Sequence, residues 1–144
     1  MLVQQILGAK HDDGVVTLAP GTPVSEAATL LSQRRIGAVI VSSDGSTPEG
    51  ILSERDIVRH LGQRGPACLS DPVEALMTPD PVGCTRSDTA DAVLGKMTEG
   101  RFRHLPVIEE GRMIGLISIG DVVKARLGEL AMENQALEGM IKGI

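Results

Sequence analysis

The chain has 144 residues, 42% of them hydrophobic and 1% aromatic, and a formal net charge of −5. That length suits one domain or two small units sharing a core, and the apolar fraction excludes a disordered chain. A single Phe, with no Trp or Tyr, leaves almost no platform for stacking bases, and the negative charge opposes a general phosphate-backbone binder, so nucleic acid is not expected as a partner.

No apolar run approaches the ~18 residues of a membrane span, and no charged-then-apolar leader opens the sequence. A soluble, unsecreted protein without a membrane partner is expected. Cys68 and Cys84 lack metal or redox spacing, and His11, His60 and His104 are scattered. Reduced thiols in the cytoplasm fit that pattern.

In chain order, a short strand is expected over 15–18. Thr22 and Pro23 then offer an N-cap and a first helical position. Val24, Ala27, Ala28 and Leu31 recur at i, i+3, i+4 and i+7, one apolar face of a helix. The apolar run AVIVSS from Ala38 reads as a strand, Asp44-Gly45 as a turn, and GILSERD as a glycine-led strand entering a helix from Ile57. The Gly/Pro-rich stretch 62–72 links to VEALMTPDP, expected as a short helix, and then to a strand over 82–84. Asp88 offers the next N-cap, followed by Ala90, Val93, Leu94 and Met97 on one face. HLPVIEE from His104, the turn Glu110-Gly111 and the strand-to-helix run GLISIGD complete the series, with a helix from Val122.

The second half therefore repeats the first at an offset of 66 that falls to 65, because the loop SDGSTPE carries one extra residue. The fold class is α+β: β-α-β-β-α twice, with a C-terminal helical tail. Each unit is too small to stand alone, so the two are expected to pack about a pseudo-two-fold axis. The expected boundaries are 1–61 for the first unit with its N-terminal segment, 62–72 for the linker, 73–127 for the second unit and 128–144 for the tail.

Ser53/Asp56 and Ser118/Asp121 form a duplicated Ser-x-x-Asp at matching strand ends. Such a motif caps a helix, the serine accepting a backbone N–H and the aspartate favoured by the helix dipole. The same end suits a ligand: the carboxylate can accept both cis-hydroxyls of a ribose, and the serine with the free N–H groups suits a phosphate. No nucleophile–base pair or metal set has a local signature. Asp12-Asp13 and Glu109-Glu110 sit beside glycines and read as solvated turns.

The paired units, the strands RRIGAVIV and FRHLPVIEEG and the two glycine-led Ser-x-x-Asp endings resemble a tandem pair of CBS domains, over roughly residues 1 to 127. With ILGAK near its start and a helical tail, the chain resembles the small single-module bacterial members. The resemblance implies a regulatory module without catalytic activity or a catalytic cofactor. It would bind an adenosine-containing ligand (AMP, ADP, ATP, S-adenosylmethionine or NAD(H)) in clefts between the repeats, often as a disc-like homodimer, and act on an unidentified regulated protein.

Carried over residue by residue, one cleft would use Ser118, Asp121, Arg103 and His104 with Val16, Ile36 and Gly37. The other would use Ser53, Asp56 and Arg55 with Val82 and Phe102. The first repeat departs from the pattern, with Gly37 and Ala38 where the second has Arg103 and His104. The Asp121 cleft is therefore expected to hold a phosphate-bearing ligand more tightly. The competing reading is a scaffold module whose clefts are vestigial.

In the tail, Val123, Leu127, Leu130, Asn134, Leu137, Ile141 and Ile144 alternate in steps of four and three, interrupted by no proline but weakened by Gly128, Gly139 and Gly143. The stripe can pack on the protein's own core or pair with a second subunit or partner.

Overall fold

The structure, a computed structural model, describes residues 1–10 and 14–141. His11, Asp12, Asp13, Gly143 and Ile144, each used above, lie outside the described residues.

The first unit runs β1 (Thr17–Leu18), α2 (Val24–Arg34), β2 (Ala38–Val41), β3 (Gly50–Ser53) and α3 (Glu54–Arg64), preceded by α1 (Val3–Ala9). The second runs β4 (Thr78–Pro79), α4 (Ala90–Gly100), β5 (His104–Glu109), β6 (Arg112–Ser118) and α5 (Ile119–Ile141). β1 pairs parallel with β2, and β2–β3 and β3–β4 are antiparallel, giving a four-stranded sheet β1-β2-β3-β4. β5 and β6 form an antiparallel hairpin with Leu105 opposite Ile117.

All four residues of β2 are buried, which an alternating strand would not allow. Val39 and Val41 meet Val24, Ala27 and Leu31 of α2, the face that the sequence periodicity marks. Ala38 and Ile40, on the opposite face, meet Ile51 and, across the divide, Met113 and Leu116 of β6. The two units therefore share a layer and neither core is closed alone.

The units also exchange their leading segments. Val3 and Ile6 of α1 are buried in the second unit's core with Val93, Met97 and Ile117. The Val3 N–H donates to the Asp88 carbonyl at 2.9 Å. Reciprocally, Val73, Leu76 and Met77 pack into the first unit's core, and β4 pairs with β3. This explains the glycine that leads each Ser-x-x-Asp strand. A Cβ at Gly50 would collide with Met77, and one at Gly115 would lie 2.7 Å from Leu7.

Several local expectations are corrected. Pro23, not Thr22, is the α2 N-cap, because the Thr22 hydroxyl donates to the Ala19 carbonyl at 2.7 Å and is not available to the helix. Thr89, not Asp88, caps α4, accepting from the Ala92 N–H, while Asp88 accepts from the Thr85 N–H one turn earlier. Helices α3 and α5 begin at Glu54 and Ile119, three residues before Ile57 and Val122, directly after the serine. VEALMTPDP is not a helix: one 3₁₀ turn, Val73–Ala75, leads into β4, because Thr78 and Pro79 pair with β3. The linker is largely helical, α3 continuing through Arg64 before a 3₁₀ segment Pro66–Ser70. The strand expected over 82–84 reduces to one parallel bridge, Cys84 to Val107. The tail continues α5 without a break to Ile141, and Leu127, Leu130 and Leu137 are exposed, so beyond Val122 its apolar stripe does not fold back on the core.

Candidate functional site

Each Ser-x-x-Asp closes on itself as a reciprocal cap. The Asp56 N–H donates to Ser53 Oγ at 3.2 Å, and the Ser53 N–H returns to Asp56 Oδ2 at 2.9 Å. The second copy matches: Asp121 N–H to Ser118 Oγ at 3.1 Å and Ser118 N–H to Asp121 Oδ2 at 2.9 Å. Strand–serine–helix is thus a local unit that fixes each carboxylate at a helix N-terminus, where the dipole favours negative charge.

Two cavities lie on either side of the shared layer, of about 440 Å3 and 430 Å3, each large enough for a nucleotide-sized ligand. Val16, Ile36, Gly37, Ser118, Asp121 and His104 line the first. Ser53, Arg55, Asp56, Val82 and Phe102 line the second. The composition of each cleft differs from the expected one at Arg103, which lines the Asp56 cleft and not the Asp121 cleft: it lies in the turn before β5, where Arg101, Phe102 and Arg103 all face the Asp56 cleft. His104 and Gly37 belong to both.

The Gly37–His104 contact is the divide between the cavities. A Cβ at Gly37 would lie 3.2 Å from the imidazole Cε1 and Nε2, so a glycine lets the ring approach this backbone closely. Burial pushes the His104 pKa below its ordinary value of 6.5, against the opposing pull of Asp121 from one cleft and Glu54 from the other. The ring is therefore largely neutral at pH 7 and able to donate from one nitrogen and accept at the other.

The two carboxylates differ in what holds them. Asp56 is 7% exposed and accepts from the Ser53 hydroxyl at 3.0 Å and from the Arg59 guanidinium, one helical turn on, at 2.9 Å. Asp121 accepts from Lys10 Nζ at 2.9 Å, and that ammonium also donates to the Leu116 carbonyl at 2.7 Å. Burial pushes the Asp121 carboxyl up, but the Ser118 N–H and the Lys10 ammonium outweigh it and hold the group below the ordinary carboxylate range.

Several lining residues escaped the sequence reading: Lys10, Arg34 and Arg35 in the Asp121 cleft, and Arg59 and Arg101 in the Asp56 cleft. The repeat offset of 66, which pairs Arg35 with Arg101, was a usable signal, as was the three-residue spacing of Asp56 and Arg59 on a helix. Lys10 had none, since it reaches the site only through the crossing of α1. Among the described residues no group of three or more His, Cys, Asp or Glu side chains could hold a metal. No described helix is long and apolar enough to cross a membrane. Burial pushes the Cys84 thiol up to about 11, which keeps it protonated and unreactive at neutral pH.

Two β-α-β-β-α units joined through a common layer, with a cleft on each side, define a tandem-repeat ligand-cleft module. The CBS-domain family model matches residues 9–63 and again 73–128, and the chain belongs to the CBS-domain family. It is similar to the crystal structure of the CBS-domain containing protein ATU1752 from Agrobacterium tumefaciens. The two are 46% identical with a TM-score of 0.82, over 88% of this chain and 99% of that one. It is also similar to the CBS domain protein PAE2072 from Pyrobaculum aerophilum, which is complexed with AMP. Here identity is 27% and the TM-score 0.76, over 92% and 99% of the chains. The mitochondrial CBS domain-containing protein CBSX3 of Arabidopsis thaliana is 35% identical over 98% of this chain, which spans 70% of that protein. By contrast the chain spans only 24% of the longer Arabidopsis protein CBSCBSPB3.

Proposed function

We propose that the protein is a non-enzymatic sensor that binds an adenosine nucleotide in one or both clefts and changes the behaviour of a partner protein. The observation that carries this reading is the duplicated carboxylate: each sits at a helix N-terminus, in a cavity of about 430–440 Å3 that also holds arginines. The AMP complex of a relative with the same architecture supports it. In this reading Asp56 and Asp121 accept the ribose hydroxyls, the serine and helix N–H groups face phosphate, and Val16, Ile36, Val82 and Phe102 offer apolar surface to the base. AMP, ADP, ATP and NAD(H) all present that adenosine half. The Asp121 cleft is proposed to hold the phosphate-bearing ligand more tightly, on Lys10, Arg34 and Arg35 and no longer on Arg103.

We place the protein in the cytoplasm, on its buried, unpaired Cys68 and Cys84, and propose a homodimer, with the exposed α5 stripe as a contact. Truncation after Arg126 that leaves the sedimentation coefficient dimeric would remove that contact from the proposal.

A second reading has a specific observation in its favour. Arg59 and Lys10 already neutralise the two carboxylates, as a scaffold with vestigial clefts would require. Thermal unfolding with AMP, ADP, ATP, NAD(H) and S-adenosylmethionine, on wild type and Asp121→Ala, separates the two. Ligand at about a hundred times its dissociation constant adds ~2.7 kcal/mol to the native state, a rise of several degrees. A rise in wild type that Asp121→Ala abolishes supports the sensor. Cooperative melts that no nucleotide moves support the scaffold.

A further inference from the structure

The described backbone holds four non-glycine residues at positive φ: Arg35, Asp80, Arg101 and Glu110. Two have local explanations. Glu110 shares with Gly111 the two-residue turn between β5 and β6, whose geometry calls for positive φ at both positions. Asp80 is of a type that enters the left-handed region more readily than most.

Arg35 and Arg101 have neither explanation. Each ends a helix, α2 or α4, in left-handed conformation, at φ 54 ψ 46 and φ 58 ψ 38. The next residues, Ile36 and Phe102, send their N–H groups back to the Leu31 and Met97 carbonyls at 3.1 and 3.2 Å. This is the helix ending that glycine normally supplies, and a Cβ there is strained. No side-chain bond offsets the strain: among the described residues neither guanidinium has a hydrogen-bond or ion-pair partner. Strain of this kind is held by the surrounding structure and clusters at ligand and active sites.

The two arginines occupy equivalent positions, 66 apart. Each lines the cleft whose carboxylate belongs to the other unit, Arg35 with Asp121 and Arg101 with Asp56. We propose that Arg35 and Arg101 are the anion-binding side chains of the two clefts, each reaching from one unit to the phosphate of a nucleotide whose ribose lies on the other unit's carboxylate. The planar guanidinium fork matches a phosphate in two hydrogen bonds, which a helix N-terminus alone does not provide. A nucleotide so held bridges the divide between the units. The inference rests on the nucleotide reading above and names the phosphate partner within it.

The test is calorimetric titration with AMP and, separately, with adenosine. Arg35→Gly is measured in an Asp56→Ala background, where the Asp121 cleft is read alone, and Arg101→Gly in an Asp121→Ala background. Glycine keeps the left-handed helix end, so the ligand-free melting midpoint should be unchanged or higher. AMP affinity should fall about 10- to 100-fold, the worth of a charge-assisted contact, while adenosine affinity stays where it was. Unchanged AMP affinity would overturn the proposal. So would an equal loss for adenosine, which would make the arginines shape the cleft and not bind the phosphate. A lower midpoint with unchanged nucleotide preference would make them structural. Wild type that binds neither compound would remove the nucleotide reading itself, and this proposal with it.

Discussion

The two clefts are built from the same motif and differ in how far the chain must travel to complete them. Asp56 is held by its own neighbourhood: the Ser53 N–H and hydroxyl, and Arg59 one helical turn on. Asp121 repeats the serine contact but takes its cation from Lys10, at the other end of the sequence. A local cap with a local counter-ion forms with the helix. A cap whose counter-ion arrives on α1 depends on the packing of Val3, Ile6 and Leu7 against the second unit. The duplicated sequence therefore yields two unequal sites, and the inequality lies outside the motif.

The largest expected effect separates the clefts outright. Asp56→Ala and Asp121→Ala should each weaken AMP about 10- to 100-fold in one cleft, two hydroxyl contacts to a charged group being lost. Calorimetric stoichiometry reads this, and equal losses of heat in both clefts from either variant would break the comparison.

Lys10→Ala should act with opposite signs on two ligands. It frees Asp121 for a ribose, so adenosine binds several-fold tighter in that cleft, and it removes a cation, so AMP binds several-fold more weakly. The Asp56 cleft should not respond. Parallel shifts for both ligands would show that Lys10 only positions the segment.

Gly37→Ala probes what the clefts share. Its methyl would meet the His104 ring at 3.2 Å, so the ring must move and both clefts should weaken by a similar few-fold factor. An effect confined to one cleft would mean that the wall is not common.

Away from the clefts, the helix starts of the two units differ in the same way. Thr89→Ala should cost about 1 kcal/mol, because Thr89 caps α4, whereas Thr22→Ala should cost clearly less, its hydroxyl being turned to Ala19. Denaturant midpoints measure both.

The pH dependence should be the gentlest effect. The folded-state pKa of His104 is depressed, so its stabilising contribution is present above its ordinary value of 6.5 and is lost as pH falls from there through the lower folded value. Asp121, also depressed, loses its contribution below the ordinary carboxylate value of 3.8. His104→Gln should flatten the stability curve below pH 6.5 and leave the acid limb; an unchanged curve would place the titration elsewhere.

Much of this was legible without coordinates because it is local. The apolar face of α2, the strand from His104, the turn at Glu110-Gly111 and the two Ser-x-x-Asp caps follow from periodicity, turn chemistry and short-range hydrogen bonding. Arg103, expected in the Asp121 cleft, lines the Asp56 cleft, because it sits in the turn before β5 and the direction of a single side chain there depends on where the neighbouring unit lies. The helix expected in VEALMTPDP failed for a related reason: pairing with β3 outweighs a weak local preference around prolines. The repeat offset pairs Arg35 with Arg101, but an arginine at a helix end is ordinary until its backbone is seen to be left-handed.

The sequence by itself determined the repeat, its order of strands and helices, and the two capped carboxylates, because each of these is set by residues within a few positions of one another. Tertiary structure alone decided that α1 crosses to the second unit while Met77 crosses to the first, that one imidazole walls both cavities, and that each cleft draws an arginine from the unit opposite its carboxylate. Those features arise where two incomplete cores close each other, and no stretch of chain shorter than the pair contains the surfaces that meet.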